Sequence, residues 1–213
     1  MVSTVKSKVF CVGRNKTGTT SIKKALGDLG YRVGNQRQAE ALIEDWSKRD
    51  FRRLVQYCRK SDAFQDIPFS LPFTFQAMDM AFPNSKFILT IRDSPEQWYK
   101  SLVRFHSRRL ELRTGEKRIP TVADIQSDPY IYPGYLWRVH ELLGVASDSR
   151  EAYPEKSLKD HYKWHNSIVV HYFRHRPEDL LVLNLASPDS MKKLCAFLGF
   201  DYDGRPMPRL NRA

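Results

Sequence analysis

"VFCVGRNKTGTTSIKKAL", residues 9–26, runs from an apolar segment through a glycine-bracketed turn into a helical pattern. Val9 to Val12 read as a buried strand. Gly13 and Gly18 are spaced G-x-x-x-x-G, and Ile22, Leu26 and Leu29 share one face of a helix that Gly30 stops. A strand, such a turn and a helix together aim backbone N–H groups and the positive end of a helix dipole at an anion. The bland alternative is a tight turn capped by Ser and Thr. The strand before it and the amphipathic helix after it disfavour that reading. A nucleoside-triphosphate loop carries its lysine directly after the second glycine, with a carboxylate on another strand to hold Mg²⁺. Here Thr19 follows Gly18, the lysine is Lys16 inside the turn, and "KFILTIRD" leaves its strand on Arg92 ahead of Asp93. The anion expected is a phosphate held by cations alone.

Outward from that stretch, apolar runs alternate with helical patterns. "KVFCVG", "DAFQDIP", "KFILTIRD" and "DLLVLNLA" read as strands, with a fifth expected at "YRVGN". Helical patterns fall at "AEALIEDW", "FRRLVQYCRK", "FTFQAMDMAF", from Pro95 through "EQWYKSLVRFHSRRLELR", at "YLWRVHELLG", at "LKDHYKWHNSIVVHYFRHR" and at "SMKKLCAFLGF". Residues 114–134, with Pro120, Pro129 and Pro133, are expected to be irregular. This order predicts an α/β fold of three layers around a central, mainly parallel sheet of about five strands. A length of 213 residues, 41% of them hydrophobic, predicts one domain over residues 1–213.

Thirty-five Lys and Arg against 24 Asp and Glu leave a formal charge of +11, which favours anionic partners. No nucleic-acid motif accompanies the charge, so no nucleic-acid partner is expected. No apolar run is long enough for a membrane span or a leader. Cys11, Cys58 and Cys195 lack metal-ligand spacing, and a reduced, cytoplasmic, metal-free protein is expected.

"NKTGTTS" resembles the 5′-phosphosulfate loop of sulfotransferases that use 3′-phosphoadenosine 5′-phosphosulfate (PAPS), a loop written roughly K-[ST]-G-T-[ST]. "RDSPEQWYKSL" is similar to that family's 3′-phosphate element, an Arg at a strand end and a Ser about two helical turns later. The resemblance implies a P-loop-like sulfotransferase fold and a PAPS co-substrate, with 3′,5′-adenosine bisphosphate (PAP) as product and no metal. It implies a nucleotide site made of Arg14, Asn15, Lys16, Thr17, Gly18, Thr19, Thr20 and Ser21 together with Arg92 and Ser101. Ser101 lies nine residues after Arg92 where the family spaces the pair by eight, and Ser94 is a possible stand-in. The basic tail "RPMPRLNR" would fold back on the 3′-phosphate through Arg209. Lys16 would stabilise the charge that grows on the leaving 5′-phosphate oxygen. The competing reading is an ATP- and Mg²⁺-dependent P-loop kinase or nucleotidase, disfavoured by Thr19 and Arg92.

Transfer to a hydroxyl also calls for a general base. Asp66 in "FQDIPF" ends a strand on the edge where α/β sheets place ligands. Its bland reading is a cap for the following turn. His165 is the second choice; it pairs at i,i+4 with His161, as His171 does with His175, but "HYKWH" lacks the glutamate of a zinc motif. Arg104, Arg108, Arg109 and Arg113, with the rings of Tyr130, Tyr132, Tyr135 and Trp137, could form an acceptor rim or be ordinary surface.

Overall fold

The computed structural model describes residues 6–145 and 151–210. Ten α-helices, one 3-10 turn (Pro177–Asp179) and four strands are placed among them. Strands β1 (Val9–Cys11), β2 (Ala63–Phe64), β3 (Lys86–Ile91) and β4 (Leu180–Asn184) form one sheet of order β2-β1-β3-β4. Every pairing in it is parallel. All the carboxyl ends therefore lie along one edge. The chain leaves β1 for β2 on one side and later places β3 on the other, so the direction of winding reverses at β1. Open α/β sheets bind ligands at such a reversal.

The α/β class and the parallel sheet are as expected; the strand count is smaller. "YRVGN" supplies one isolated bridge, Val33 to Ala63, instead of a fifth strand. Asn35 ends that extended run by capping helix α2 (Gln36–Glu40), its side chain accepting from the Gln38 N–H at 3.3 Å. "AEALIEDW" is split between α2 and α3 (Ile43–Ser47). Helices α1 (Thr19–Asp28), α4 (Arg52–Cys58), α5 (Thr74–Ala81) and α6 (Pro95–Thr114) fall on their predicted patterns. The stretch expected to be irregular contains a short helix, α7 (Val122–Ser127), begun by a reciprocal capping box between Thr121 and Asp124. Helices α8 (Tyr135–Leu142), α9 (Glu155–Tyr172) and α10 (Ser190–Leu198) complete the set.

The described residues form two compact units, 6–92 with 165–210, and 93–145 with 151–164. In the first, the two-residue alternation of β1 sends its side chains to opposite faces. Phe10 and Val12 join Phe64, Phe87 and Leu89 against Leu54 and Cys58 of α4, Phe75 and Met78 of α5, and Val169 and Phe173. Val9 and Cys11 join Ile88 and Leu183 against Ile22, Ala25 and Leu26 of α1 and Leu194 and Cys195 of α10. Helices thus cover both faces. Phe10 centres the first layer, its ring 5.2 Å from Phe64 and 5.5 Å from Phe87. The second unit is helical and has its own core of Trp98, Leu102, Ile125, Tyr153, Leu158 and Tyr162, with Trp98 stacked on Tyr162 at 4.6 Å.

Candidate functional site

The turn between β1 and α1 is built by contacts that only its own sequence allows. Gly13 passes so close to β3 that a Cβ there would lie 2.5 Å from the Thr90 carbonyl oxygen and 2.6 Å from its nitrogen. Thr90, the one polar residue in the buried part of β3, reaches back with its hydroxyl 2.5 Å from that of Thr17. The Thr17 hydroxyl also lies 2.5 Å from the Arg14 carbonyl, to which it donates. Two residues then take the left-handed backbone: Lys16 (φ 68°) and Gly18 (φ 106°). For lysine that conformation is strained, and such strain concentrates at functional sites. Gly18 caps α1 without a side chain, and the first turn of α1 holds no acidic residue. The positive end of the helix dipole is therefore not met by a carboxylate of its own first turn.

Lys16 is largely buried. Desolvation pulls its ammonium down to about 8, helped by the charge of Arg92 and opposed by Asp66. Arg92, the first residue past β3, donates from Nε to the Lys16 carbonyl at 2.8 Å and so ties the third strand end to the turn. Asp66, just past β2, is also left-handed (φ 66°). Its Oδ2 accepts from the Thr19 hydroxyl at 3.2 Å and from Gln36 Nε2 at 3.4 Å, and its Oδ1 accepts from the Ile67 N–H at 3.0 Å. Burial raises the Asp66 pKa, while these hydrogen bonds and the charges of Lys16 and Arg14 pull the other way. Three strand ends thus bring Lys16, Arg92 and Asp66 to the N-terminus of α1.

The other predicted residues are placed as follows. Arg14 is buried, with Nη1 donating to the Ser70 carbonyl at 3.0 Å. Asn15 is half-buried and Thr20 exposed. The hydroxyls of Thr17, Thr19 and Ser21 serve Arg14 and Thr90, Asp66, and the Leu210 N–H respectively. That last bond, at 3.1 Å, holds the tail on the first turn of α1, with Met207 buried in the core and Arg209 exposed beside it. Asn211 and Arg212 lie outside the described residues.

His165 is fully buried. Its Nε2 donates to the Val12 carbonyl at 2.8 Å, and burial with the nearby charge of Arg14 pushes it down to about 3. It is neutral at any working pH, which makes it a weak base. In the second unit, Ser94 caps α6 by accepting from the Gln97 N–H at 3.1 Å, and Ser101 is half-buried on the same helix. Arg109 forms a bidentate pair with buried Asp128, at 2.7 and 3.0 Å, and sits 4.9 Å from the Tyr130 ring. Tyr132 meets buried Tyr135 edge-on at 5.3 Å. Half of the basic face and most of the rings therefore fasten this unit internally. His161 packs against Trp164, and His171 and His175 are exposed.

Sequence reading missed Gln36, Gln65, Ser70 and Thr90. Gln65 Nε2 donates to Gln36 Oε1 at 2.9 Å, and Gln36 Nε2 bridges from Asp66 to Glu40 Oε1 at 2.8 Å. Thr90 carried a signal, a hydroxyl in a buried strand; the others come from elements whose meeting no spacing reveals.

The structure is thus an α/β protein with a parallel sheet flanked by helices and a glycine-bracketed turn, a lysine and an arginine at its winding reversal. A family model described as "Sulfotransferase domain" matches residues 8–213, and the chain belongs to that family. It is a sulfotransferase-type transferase. No curated protein matches the chain. Among the described residues, no group of three or more His, Cys, Asp or Glu is placed to hold a metal ion, and no helix is long and apolar enough to cross a membrane.

Proposed function

We propose that the protein transfers a sulfuryl group from PAPS to an acceptor hydroxyl or amine, with no metal. The observation that supports this most is the meeting of Lys16 and Asp66 at the start of α1, a helix end with neither a side-chain cap nor an acid in its first turn. The acceptor oxygen attacks sulfur, its proton passes to Asp66, and the bond from sulfur to the bridging 5′-phosphate oxygen breaks. Lys16 stabilises the charge left on that oxygen, and the N–H groups of residues 17–20 receive the 5′-phosphate. Arg92 takes the 3′-phosphate through its guanidinium, with Arg209 as a further contact. A carboxylate whose pKa is raised by burial is a stronger base than one in water, which suits Asp66 to the task.

The test is thermal stabilisation by PAP in the presence of a chelator, set against ATP with Mg²⁺. Ligand at about 100 times its dissociation constant adds about 2.7 kcal/mol to the folded state. PAP should stabilise without metal. Stabilisation by ATP with Mg²⁺ alone would replace this reading with a kinase or nucleotidase.

A further inference from the structure

Arg14 does not behave like a surface cation reaching for a phosphate. It is 4% exposed, and one guanidinium nitrogen is fixed on the Ser70 carbonyl at 3.0 Å. Its Nε is buried with no hydrogen-bond partner. Asp66 is close enough to act on it electrostatically, yet the two make no ion pair or hydrogen bond. An unmatched donor on a buried guanidinium is costly, and an arginine kept only to fasten a loop would be expected to close on that carboxylate. Two further buried atoms without partners flank Asp66 in the chain: Gln65 Oε1 and Ser70 Oγ. Ser70 is tied to the same turn, its N–H donating to the Asp66 carbonyl at 2.9 Å. A water on Nε would satisfy the donor but leave the failure of cation and carboxylate to pair unexplained.

Resting on the sulfuryl-transfer reading, we propose that Arg14 Nε and Asp66 hold the acceptor oxygen between them, which makes Arg14 an acceptor-side catalytic residue and restricts the acceptor to neutral hydroxyl compounds. A hydroxyl donates its proton to Asp66 and accepts from Arg14 at the same time. A protonated amine can do only the first, and would set a third cation beside Arg14 and Lys16. The charged and titratable groups facing Asp66 are Lys16 and Arg14 from the β1 turn and the Cys11 thiol from β1, with Glu40 of α2 reached through Gln36.

The experiment uses radiolabelled PAPS with three probe acceptors, phenol, hexan-1-ol and hexylamine, on the full chain and on Arg14→Met and Arg14→Lys. The wild type should label the alcohols and leave the amine unlabelled. Both variants should lower kcat/KM for the alcohols about tenfold to a hundredfold, the range for one hydrogen bond to a charged group, with PAP stabilisation unchanged. Because the Arg14 charge favours ionised Asp66, the acid limb of the pH–rate profile should move up in Arg14→Met and stay in place in Arg14→Lys. A merely structural arginine would not separate the variants in that way. If Arg14→Met fails to fold, Arg14→Lys and the amine comparison decide. Labelling of hexylamine, of none of the probes, or a loss of PAP stabilisation matching the loss of transfer would overturn the proposal. Wild-type protein that PAP does not stabilise would instead remove the reading beneath it.

Discussion

At the scale of single residues, the site depends on two side chains whose protonation is set by burial in opposite senses. Desolvation disfavours the charged form of each, so it lowers Lys16 to about 8 and raises Asp66. The proposed sulfuryl transfer requires Asp66 ionised and Lys16 protonated. Activity is therefore gained as pH rises through the Asp66 value, above the ordinary carboxylate range, and lost as pH rises through about 8. A plot of kcat/KM, which reports the free enzyme, should be bell-shaped with those limbs. The alkaline limb of kcat should lie higher, because bound nucleotide phosphates favour the Lys16 ammonium. Lys16→Ala should lower kcat about a hundredfold or more, erase the alkaline limb and leave PAP stabilisation largely intact. Arg92→Ala should instead weaken PAP binding and loosen the turn, since it loses the bond to the Lys16 carbonyl as well. An alkaline limb unchanged in Lys16→Ala would mean that another group sets it.

At the scale of elements, the strand–turn–helix that begins the chain was legible because three local signals agree there: an apolar run, paired glycines and a 3.6-residue period. Its tightest constraint was not legible. Gly13 is required by Thr90, 77 residues later, and no spacing shows that β3 lies against the turn. Gly13→Ala would press a methyl group into the backbone of Thr90, a contact that no rotamer relieves. Denaturant unfolding should show a loss of about 1–3 kcal/mol, and PAP stabilisation should fall because the turn must move. An unaltered midpoint with unaltered PAP binding would show the turn to be more pliant than its packing implies. The strand expected at "YRVGN" failed for the converse reason. Its β-branched and aromatic residues fit a strand, but Asn35 supplies a helix cap that ends the extended run. Asp62 competes as well, holding the Arg32 N–H and guanidinium by its carboxylate at 3.0 Å each. The helix within 114–134 was signalled only by Thr121 and Asp124, a capping box in which Asp stands in for the usual Glu or Gln.

At the scale of the whole molecule, alternation of strands and helices carried the architecture, whereas the polar network under the site came from side chains scattered over many elements. His165 shows the difference. Its i,i+4 partnership with His161 suggested a shared helix face, yet what fixes it is the Val12 carbonyl, 153 residues away. Burial holds its pKa near 3 when folded, against an ordinary value of 6.5. Between those values the unfolded chain binds a proton that the folded chain refuses, so this residue makes stability rise with pH across that window. Its stabilising influence is complete above about 6.5 and is lost as pH falls, at up to about 1.4 kcal/mol per pH unit. Asp66, with its pKa raised, acts in the opposite sense, and the +11 chain gains further positive charge on acidification in every variant alike. His165→Gln isolates the histidine, since a glutamine amide can still donate to Val12 but does not titrate. Unfolding free energies measured from neutral pH down to about 4 should fall less steeply in His165→Gln than in the wild type, by close to one proton. Parallel curves would show that His165 takes up its proton without unfolding, and that the space around its Nδ1 admits water.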